Sequence, residues 1–212
     1  MKYLNKGSKY LRKKDPSLNI ILDAIGEVDY EEVTDVMVTL MKSIVSQQLS
    51  TKVAKVIWKR FSDLFESGDI TTQSVLDLEP TSLRAIGFSN AKAGYVRNIA
   101  EYFRNSENEN TDWHQLADEE ILEKLTSIKG VGAWTVHMLL IFGLQRPDIW
   151  PVKDLGIQQA FAKLHFQDPK DKALTYTMLE MGEHWRPYRS LVALALWRWK
   201  DRGYPGIENE LH

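Results

Sequence analysis

Cysteine is absent from all 212 residues, which excludes disulfides, thiolate zinc sites and cysteine-ligated iron–sulfur clusters. Long apolar runs are missing too: none approaches the roughly 20 residues that a membrane span needs. The opening stretch "MKYLNKGSKYLRKKDP" lacks the apolar region and cleavage pattern of a secretory signal. No membrane partner is therefore expected, and a cytoplasmic location is, nucleoid-associated if the source is bacterial. A surplus of one charge is also lacking, since 27 Lys+Arg against 29 Asp+Glu leave a net charge of −2. A nucleic-acid binder should show a basic patch, and the total alone argues against one. The distribution, however, is uneven. Lys2, Lys6, Lys9, Arg12, Lys13 and Lys14 fall in a stretch with no acid, whereas "ENENTDWHQLADEEILE" from Glu107 to Glu123 is acidic. Exposed charges are screened beyond about 8 Å at physiological salt, so a local basic patch beside an acidic face is compatible with DNA binding.

What the chain does contain is 43% hydrophobic residues, enough to bury a core as one large or two small domains. Apolar residues recur at helical spacing in one segment after another, separated by short polar breaks. "DPSLNIILDAIG" offers Asp15 as N-cap, Pro16 at the first helical position and Gly26 as a stop. "TKVAKVIWKRFSDLF" ends before Ser67-Gly68, "SNAKAGYVRNIAEYFRN" has Ser89 as its cap candidate, and "DEEILEKLTSI" carries acids in its first turn, where the helix dipole favours them. No segment alternates with period 2, so the expected fold is all-α. The helical pattern begins near residue 15. "NSENENTD" (105–112) reads as a mobile surface loop, and Pro147–Pro151 as a crossover between two helical lobes. The lobes are expected to be 1–35 with 151–212, and 36–150.

One corner stands out. "LTSIKGVGAWTV" reads as helix, hairpin, helix, in which Gly130 and Gly132 can take positive φ and bring the backbone close to a bulky neighbour. The amides that follow have no partner within the helix and suit a phosphate; a tight turn that needs glycine only for packing is the alternative. Just downstream, Asp154 in "WPVKDLG" precedes the helix "LGIQQA". It reads equally as an N-cap, where Asp is common, or as a reactive carboxylate. The five histidines show no metal-ligand spacing.

Taken together, "SIKGVGAWTVHML", the Pro-x-x-Asp of "WPVKDLG", "IVSQQLSTKVAKVIWKRF", "AIGFSNAKAGYVRNIA" and "HWRPYRSLVALALWRW" resemble the 3-methyladenine DNA glycosylase II branch of the helix-hairpin-helix (HhH-GPD) DNA glycosylase superfamily. The resemblance runs from about Asp15 to Arg202. It implies a two-lobed helical fold with a central DNA-facing cleft, and damaged double-stranded DNA as the partner of a monomer. The implied activity is excision of alkylated purines without a required cofactor. Excision of other bases (uracil, mismatches, etheno-adenine, hypoxanthine) and non-catalytic DNA binding are the alternatives.

By position, Asp154 matches the family's catalytic Asp. Trp134 occupies the place where lyase-competent members carry an imine-forming Lys, so no lyase activity is implied; Lys129 and Lys153 do not match that place. Trp134 and Trp197 match pocket tryptophans, with core packing the alternative for each. Met138 stands where some members have an aromatic, and His137 on the same helix is a further cleft candidate. Gln48 matches the side chain that fills the gap left by a flipped base, with Gln47 beside it, a solvated helix end being the alternative. Gly130, Gly132, Lys129, Ser89 and Lys92 are the phosphate candidates, with Arg97, Arg186 and Arg189 weaker ones. Hairpin carbonyls of Thr126, Ile128 and Val131 match those that hold a structural Na+ or K+ in the family.

Overall fold

A computed structural model of the chain describes residues 4–25, 35–65 and 69–207; the stops expected at Gly26 and at Ser67-Gly68 lie outside them. Among the described residues there is helix and no strand, as the missing period-2 pattern implies. α1 (Leu4–Lys14) and α2 (Asn19–Ala24) are joined by a 3-10 turn at Pro16–Leu18. α3 (Val36–Ser46), α4 (Thr51–Ser62), α5 (Thr72–Leu76), α6 (Pro80–Ala85) and α7 (Asn90–Phe103) follow. α8 (Ser106–Glu109) and α9 (Asp118–Thr126) lead to α10 (Ala133–Met138), which continues as a π-helical turn over Leu139–Gly143. The remaining described helices are α11 (Leu155–Leu164), α12 (Leu174–His184) and α13 (Arg189–Asp201).

Several starts carry a polar side-chain cap. Asp15 accepts from the Ser17 amide at 3.1 Å, Asp35 from Val38 at 3.0 Å and Ser89 from Lys92 at 3.2 Å. Each satisfies an otherwise orphaned N–H, and losing such a cap typically costs about 1 kcal/mol. α9 starts differently: Glu120 reaches back to accept from the Ala117 amide at 2.9 Å.

The chain divides into two compact units, one of Met1–Glu31 with Gln145–His212 and one of Glu32–Leu144. The sequence reading placed these breaks later, after residues 35 and 150. The second difference has a visible cause, because residues 146–150 are bonded into the first unit. The fully buried Ser190 donates its hydroxyl to the Arg146 carbonyl at 2.7 Å and accepts from the Ile149 amide at 2.8 Å. The Trp150 indole donates to the Met178 carbonyl at 2.8 Å. The Pro147–Pro151 stretch is thus internal to that unit.

α13 forms the centre of the first unit. Every residue from Leu191 to Leu196 is buried, as is Trp199, and the helix packs on α2 and α11. A helix that is apolar on all sides must be covered on all sides, and each fully buried Leu-sized side chain contributes about 1.5–3 kcal/mol. Buried Trp185 joins this core and donates to Asp15 Oδ2 at 2.9 Å. In the second unit α3 packs on α4 and α7, burying Leu40, Ile44, Val96 and Ile99. Phe61 stacks on Phe88 with ring centroids 5.5 Å apart.

Two local expectations were wrong. α1 begins well before residue 15; its buried stripe is only Gly7 and Leu11, too sparse to register as a helical period. A Cβ on Gly7 would lie 2.9 Å from Tyr188 Cδ1, so glycine lets α1 seat closely on α13. The 105–112 stretch is built around the short helix α8 and is not an irregular loop. Asn105 caps it, Asn108 Nδ2 donates to the Tyr102 carbonyl at 2.9 Å, and the Thr111 hydroxyl donates to the Glu107 carbonyl at 2.7 Å. Short polar side chains there close on their own backbone, an organisation that composition reads as loop.

Candidate active site and nucleic-acid interface

The corner between α9 and α10 depends on one glycine for its shape. Gly130 has φ +102°, and a Cβ there would fall 2.1 Å from Tyr95 Cδ1 and 2.2 Å from its Cγ. Gly132 differs from the expectation. It is the N-cap of α10 with φ −96° and ψ 171°, ordinary extended backbone, and a Cβ there would meet nothing within 4 Å. Packing against α7 therefore requires the first glycine, and the second leaves open space in front of the α10 amides. Lys129 is exposed, and its carbonyl accepts from Asn98 Nδ2 at 2.9 Å, tying the hairpin to α7.

Several polar residues singled out from the sequence are used within the second unit. Lys92 donates its ammonium to the Val45 carbonyl at 2.8 Å and the Gln47 carbonyl at 2.7 Å. It closes the C-terminal end of α3, where a cation is favoured, and burial lowers its pKa. Two of its three N–H donors are thus spent internally and not on phosphate. Arg97 does the same for α5, donating to the Leu76 and Leu78 carbonyls at 2.9 Å each. Gln47 donates from Nε2 to the hydroxyl of buried Thr135 at 2.9 Å, which pins the end of α3 to α10. Gln48 is exposed in that turn, as are Leu49 and Ser50, and has φ +57°, a left-handed conformation uncommon outside glycine and asparagine. Ser89 is exposed at the start of α7, its hydroxyl engaged as the cap. On α10, Trp134 and His137 are half-buried and Met138 is buried; burial holds the His137 imidazole below its ordinary pKa.

Asp154 and Trp197 belong to the first unit. Asp154 is the N-cap of α11, as one reading of the sequence has it, and its Oδ1 accepts from the Ile157 amide at 2.8 Å. The same oxygen accepts from Trp197 Nε1 at 2.9 Å. Trp197 is half-buried against the α13 core and Asp154 is half-buried beside it. Sequence reasoning passed over Gly156, whose missing side chain leaves room for that bond. Its only signal was the glycine of "DLG" in a helix's first turn, where glycine has no conformational purpose. Arg186 and Arg189 both converge on Asp148. Arg189 reaches its two carboxylate oxygens at 2.8 and 3.0 Å and its carbonyl at 2.9 Å, and Arg186 reaches Oδ2 at 2.7 Å. That fork holds the α13 start to the 145–150 stretch.

Among the described residues no group of three or more His, Cys, Asp or Glu side chains could hold a metal ion, and no helix is long and apolar enough to cross a membrane. Residues 41–187 match the HhH-GPD superfamily of base excision DNA repair proteins. The chain belongs to this family. The match takes in the hairpin and Asp154 and ends short of Trp197. This HhH-GPD protein is 36% identical over 165 residues to the putative DNA-3-methyladenine glycosylase YfjP of Bacillus subtilis, covering 75% of the chain and 57% of that relative. It is 37% identical over 161 residues to DNA-3-methyladenine glycosylase 1 of Schizosaccharomyces pombe, covering 75% of the chain and 70% of the relative. The chain thus spans little more than half the length of the Bacillus relative. In structure it is similar to the S. pombe 3-methyladenine DNA glycosylase (Mag1) solved in complex with abasic DNA. The TM-score is 0.83 at 30% identity, covering 92% of this chain and 97% of that one.

Proposed function

We propose that this HhH-GPD protein is a monofunctional DNA glycosylase of base excision repair, acting as a monomer on duplex DNA and releasing alkylated purines of the 3-methyladenine and 7-methylguanine type. The observation that carries this reading is the Asp154 carboxylate, held on one oxygen by two N–H donors, in a chain similar to named 3-methyladenine glycosylases. Cleaving the N-glycosidic bond moves the bonding pair onto the base and leaves positive charge on the sugar. A carboxylate fixed beside C1′ stabilises that oxocarbenium-like state and orients or deprotonates the attacking water, whose oxygen bonds to C1′. Purines alkylated at N3 or N7 carry a positive charge that departure of the base neutralises, so they leave readily. Indole faces favour cations through the ring quadrupole, which recommends Trp134, with His137 and Met138 on the same helix, as base contacts of the second unit and Trp197 as one of the first. Trp134 carries no amine, so it cannot form the imine a lyase step requires.

On the DNA side, the exposed Gln48 fills the gap that the flipped base leaves, and its amide can pair with the orphaned partner base. Gly132 and Lys129 flank the α10 amides and Ser89 opens α7, two helix starts that a phosphate can approach, a contact that fixes register without reading sequence. The hairpin carbonyls of Thr126, Ile128 and Val131 fit a Na+ or K+ by donor chemistry, being neutral oxygens. Ile128 already accepts from the Val131 amide at 2.9 Å, which leaves its second acceptor position. A bound ion would add positive charge to the phosphate contact.

The test is release of free methylated bases from methylated duplex DNA by the wild type and by Asp154→Asn. Asn caps a helix as well as Asp does, so the fold survives and only the carboxylate is lost. Abundant release by the wild type, near-loss in the variant, and strands that break only on alkaline heating are expected. No release by the wild type overturns the alkyl-purine assignment, and strand breaks without alkali overturn the monofunctional one.

A further inference from the structure

Asp154, Gly156 and Trp197 meet at the first turn of α11. The two donors on Asp154 Oδ1 come from different elements: the Ile157 amide from the same helix at 2.8 Å, and the Trp197 indole from α13 at 2.9 Å. The amide alone is the ordinary cap bond, about which the carboxylate can still turn. The indole adds a second anchor that the cap does not need. A Cβ built on Gly156 would lie 3.1 Å from Asp154 Oδ1, 3.3 Å from Trp197 Cδ1 and 3.4 Å from its Nε1. The first atom of any side chain at 156 would therefore crowd both ends of the Asp–Trp hydrogen bond. Glycine is not required here by backbone shape. Gly156 is not among the positive-φ residues, and alanine is the better residue inside a helix.

We propose that Trp197 is a positioning residue for Asp154, and that position 156 lacks a side chain so that the indole can reach the carboxylate. This rests on the reading of Asp154 as the reacting group. The bond fixes the rotation of the carboxylate, and with it the direction from which the oxygens face C1′ and the attacking water. It also ties the indole, a candidate wall for the base, to the same oxygen, so base and carboxylate share one reference point. A purely structural role for Trp197 would need only that its N–H be satisfied somewhere, and would not need position 156 to be empty.

Three variants of the full chain separate these roles: Trp197→Phe keeps an aromatic face and removes the donor, Gly156→Ala keeps both partners and inserts a methyl group against their bond, and Asp154→Asn is the reference. The measurements are the single-turnover rate of 7-methylguanine release at saturating protein, the affinity for a duplex with an abasic site, and the thermal midpoint. Trp197→Phe and Gly156→Ala are each expected to slow release on the order of 10–100-fold, the usual consequence of a misdirected reacting group. Abasic-DNA affinity should be unchanged, and the Gly156→Ala midpoint should be no lower than wild type. The double variant should be no slower than the slower single variant, because both disrupt one interaction. Wild-type rate in Gly156→Ala overturns the proposal, as does a loss confined to affinity in both variants. If Trp197→Phe melts early, Gly156→Ala still decides. Full activity in Asp154→Asn would instead bring down the reading of Asp154 itself. An inactive Asp154→Asn beside two fully active variants removes only the positioning role.

Discussion

Gly130→Ala is the sharpest probe of how the hairpin is built. The added methyl carbon would sit 2.1, 2.2 and 2.8 Å from Tyr95 Cδ1, Cγ and Cβ. The ring can swing away from the first two, but the third is anchored to the α7 backbone, so the hairpin itself must shift. Overpacking of this kind costs about 1–3 kcal/mol. A φ of +102° in a non-glycine residue adds roughly 1–2 kcal/mol, which puts the expected loss at about 2–5 kcal/mol. For a chain of this size that lowers the thermal midpoint by on the order of 10 °C. Gly132→Ala is the control: its methyl meets nothing and its backbone is ordinary, so stability should change by no more than about 0.5 kcal/mol. If a phosphate approaches the α10 amides, that same methyl should weaken binding to abasic duplex. Circular-dichroism melts of both variants, with Tyr95→Ala alone and combined with Gly130→Ala, complete the experiment. In the Tyr95→Ala background the clash with the ring should disappear, while the 2.8 Å approach to the Cβ of residue 95 and the φ part remain. A Gly130→Ala protein as stable as wild type, or a Gly132→Ala protein equally damaged, would refute the division of labour between the two glycines.

Other consequences follow from the polar contacts. Lys92→Met keeps the stem but removes two charge-assisted bonds to α3 carbonyls; chemical denaturation should register a loss of about 2–4 kcal/mol. The salt dependence of DNA binding should keep its wild-type slope, since no phosphate contact is lost. Arg189→Ala strips Asp148 of its main partner in a site where the Arg side chain is only 13% exposed, and should cost about 2–4 kcal/mol by the same measurement. Burial holds the His137 and His165 imidazoles below their ordinary pKa, with Asp15 partly opposing this for His165. The unfolded chain then binds protons first as the medium acidifies. Stability is full above about pH 6.5 and declines as pH falls below it. Melting midpoints from pH 8 to 5.5 should show this, and a His137→Gln/His165→Gln protein should show a flatter profile.

The features legible in the sequence are those set between near neighbours along the chain. Asp15, Ser89 and Asp154 cap the helices that follow them, because a short side-chain oxygen reaches amides two or three residues ahead wherever the chain turns in. The all-α class followed from apolar spacing, and the hairpin from glycines between two periodic segments. The family was legible because several such stretches occur in order. Contacts across long stretches of chain were not legible. Lys92 and Arg97 look like a wet helix face until packing brings them to the carbonyl ends of α3 and α5. Gly130 and Gly132 look equivalent until Tyr95 is seen beneath only one of them. Trp197 reads as core in "LVALALWRW", yet its indole N–H lies 2.9 Å from an Asp 43 positions earlier. Local sequence determines which groups can cap, turn or pack, because those interactions close within one helical turn. Where a cation points and which glycine must stay bare depend on the helix that arrives from elsewhere in the chain, and only the tertiary structure decides that.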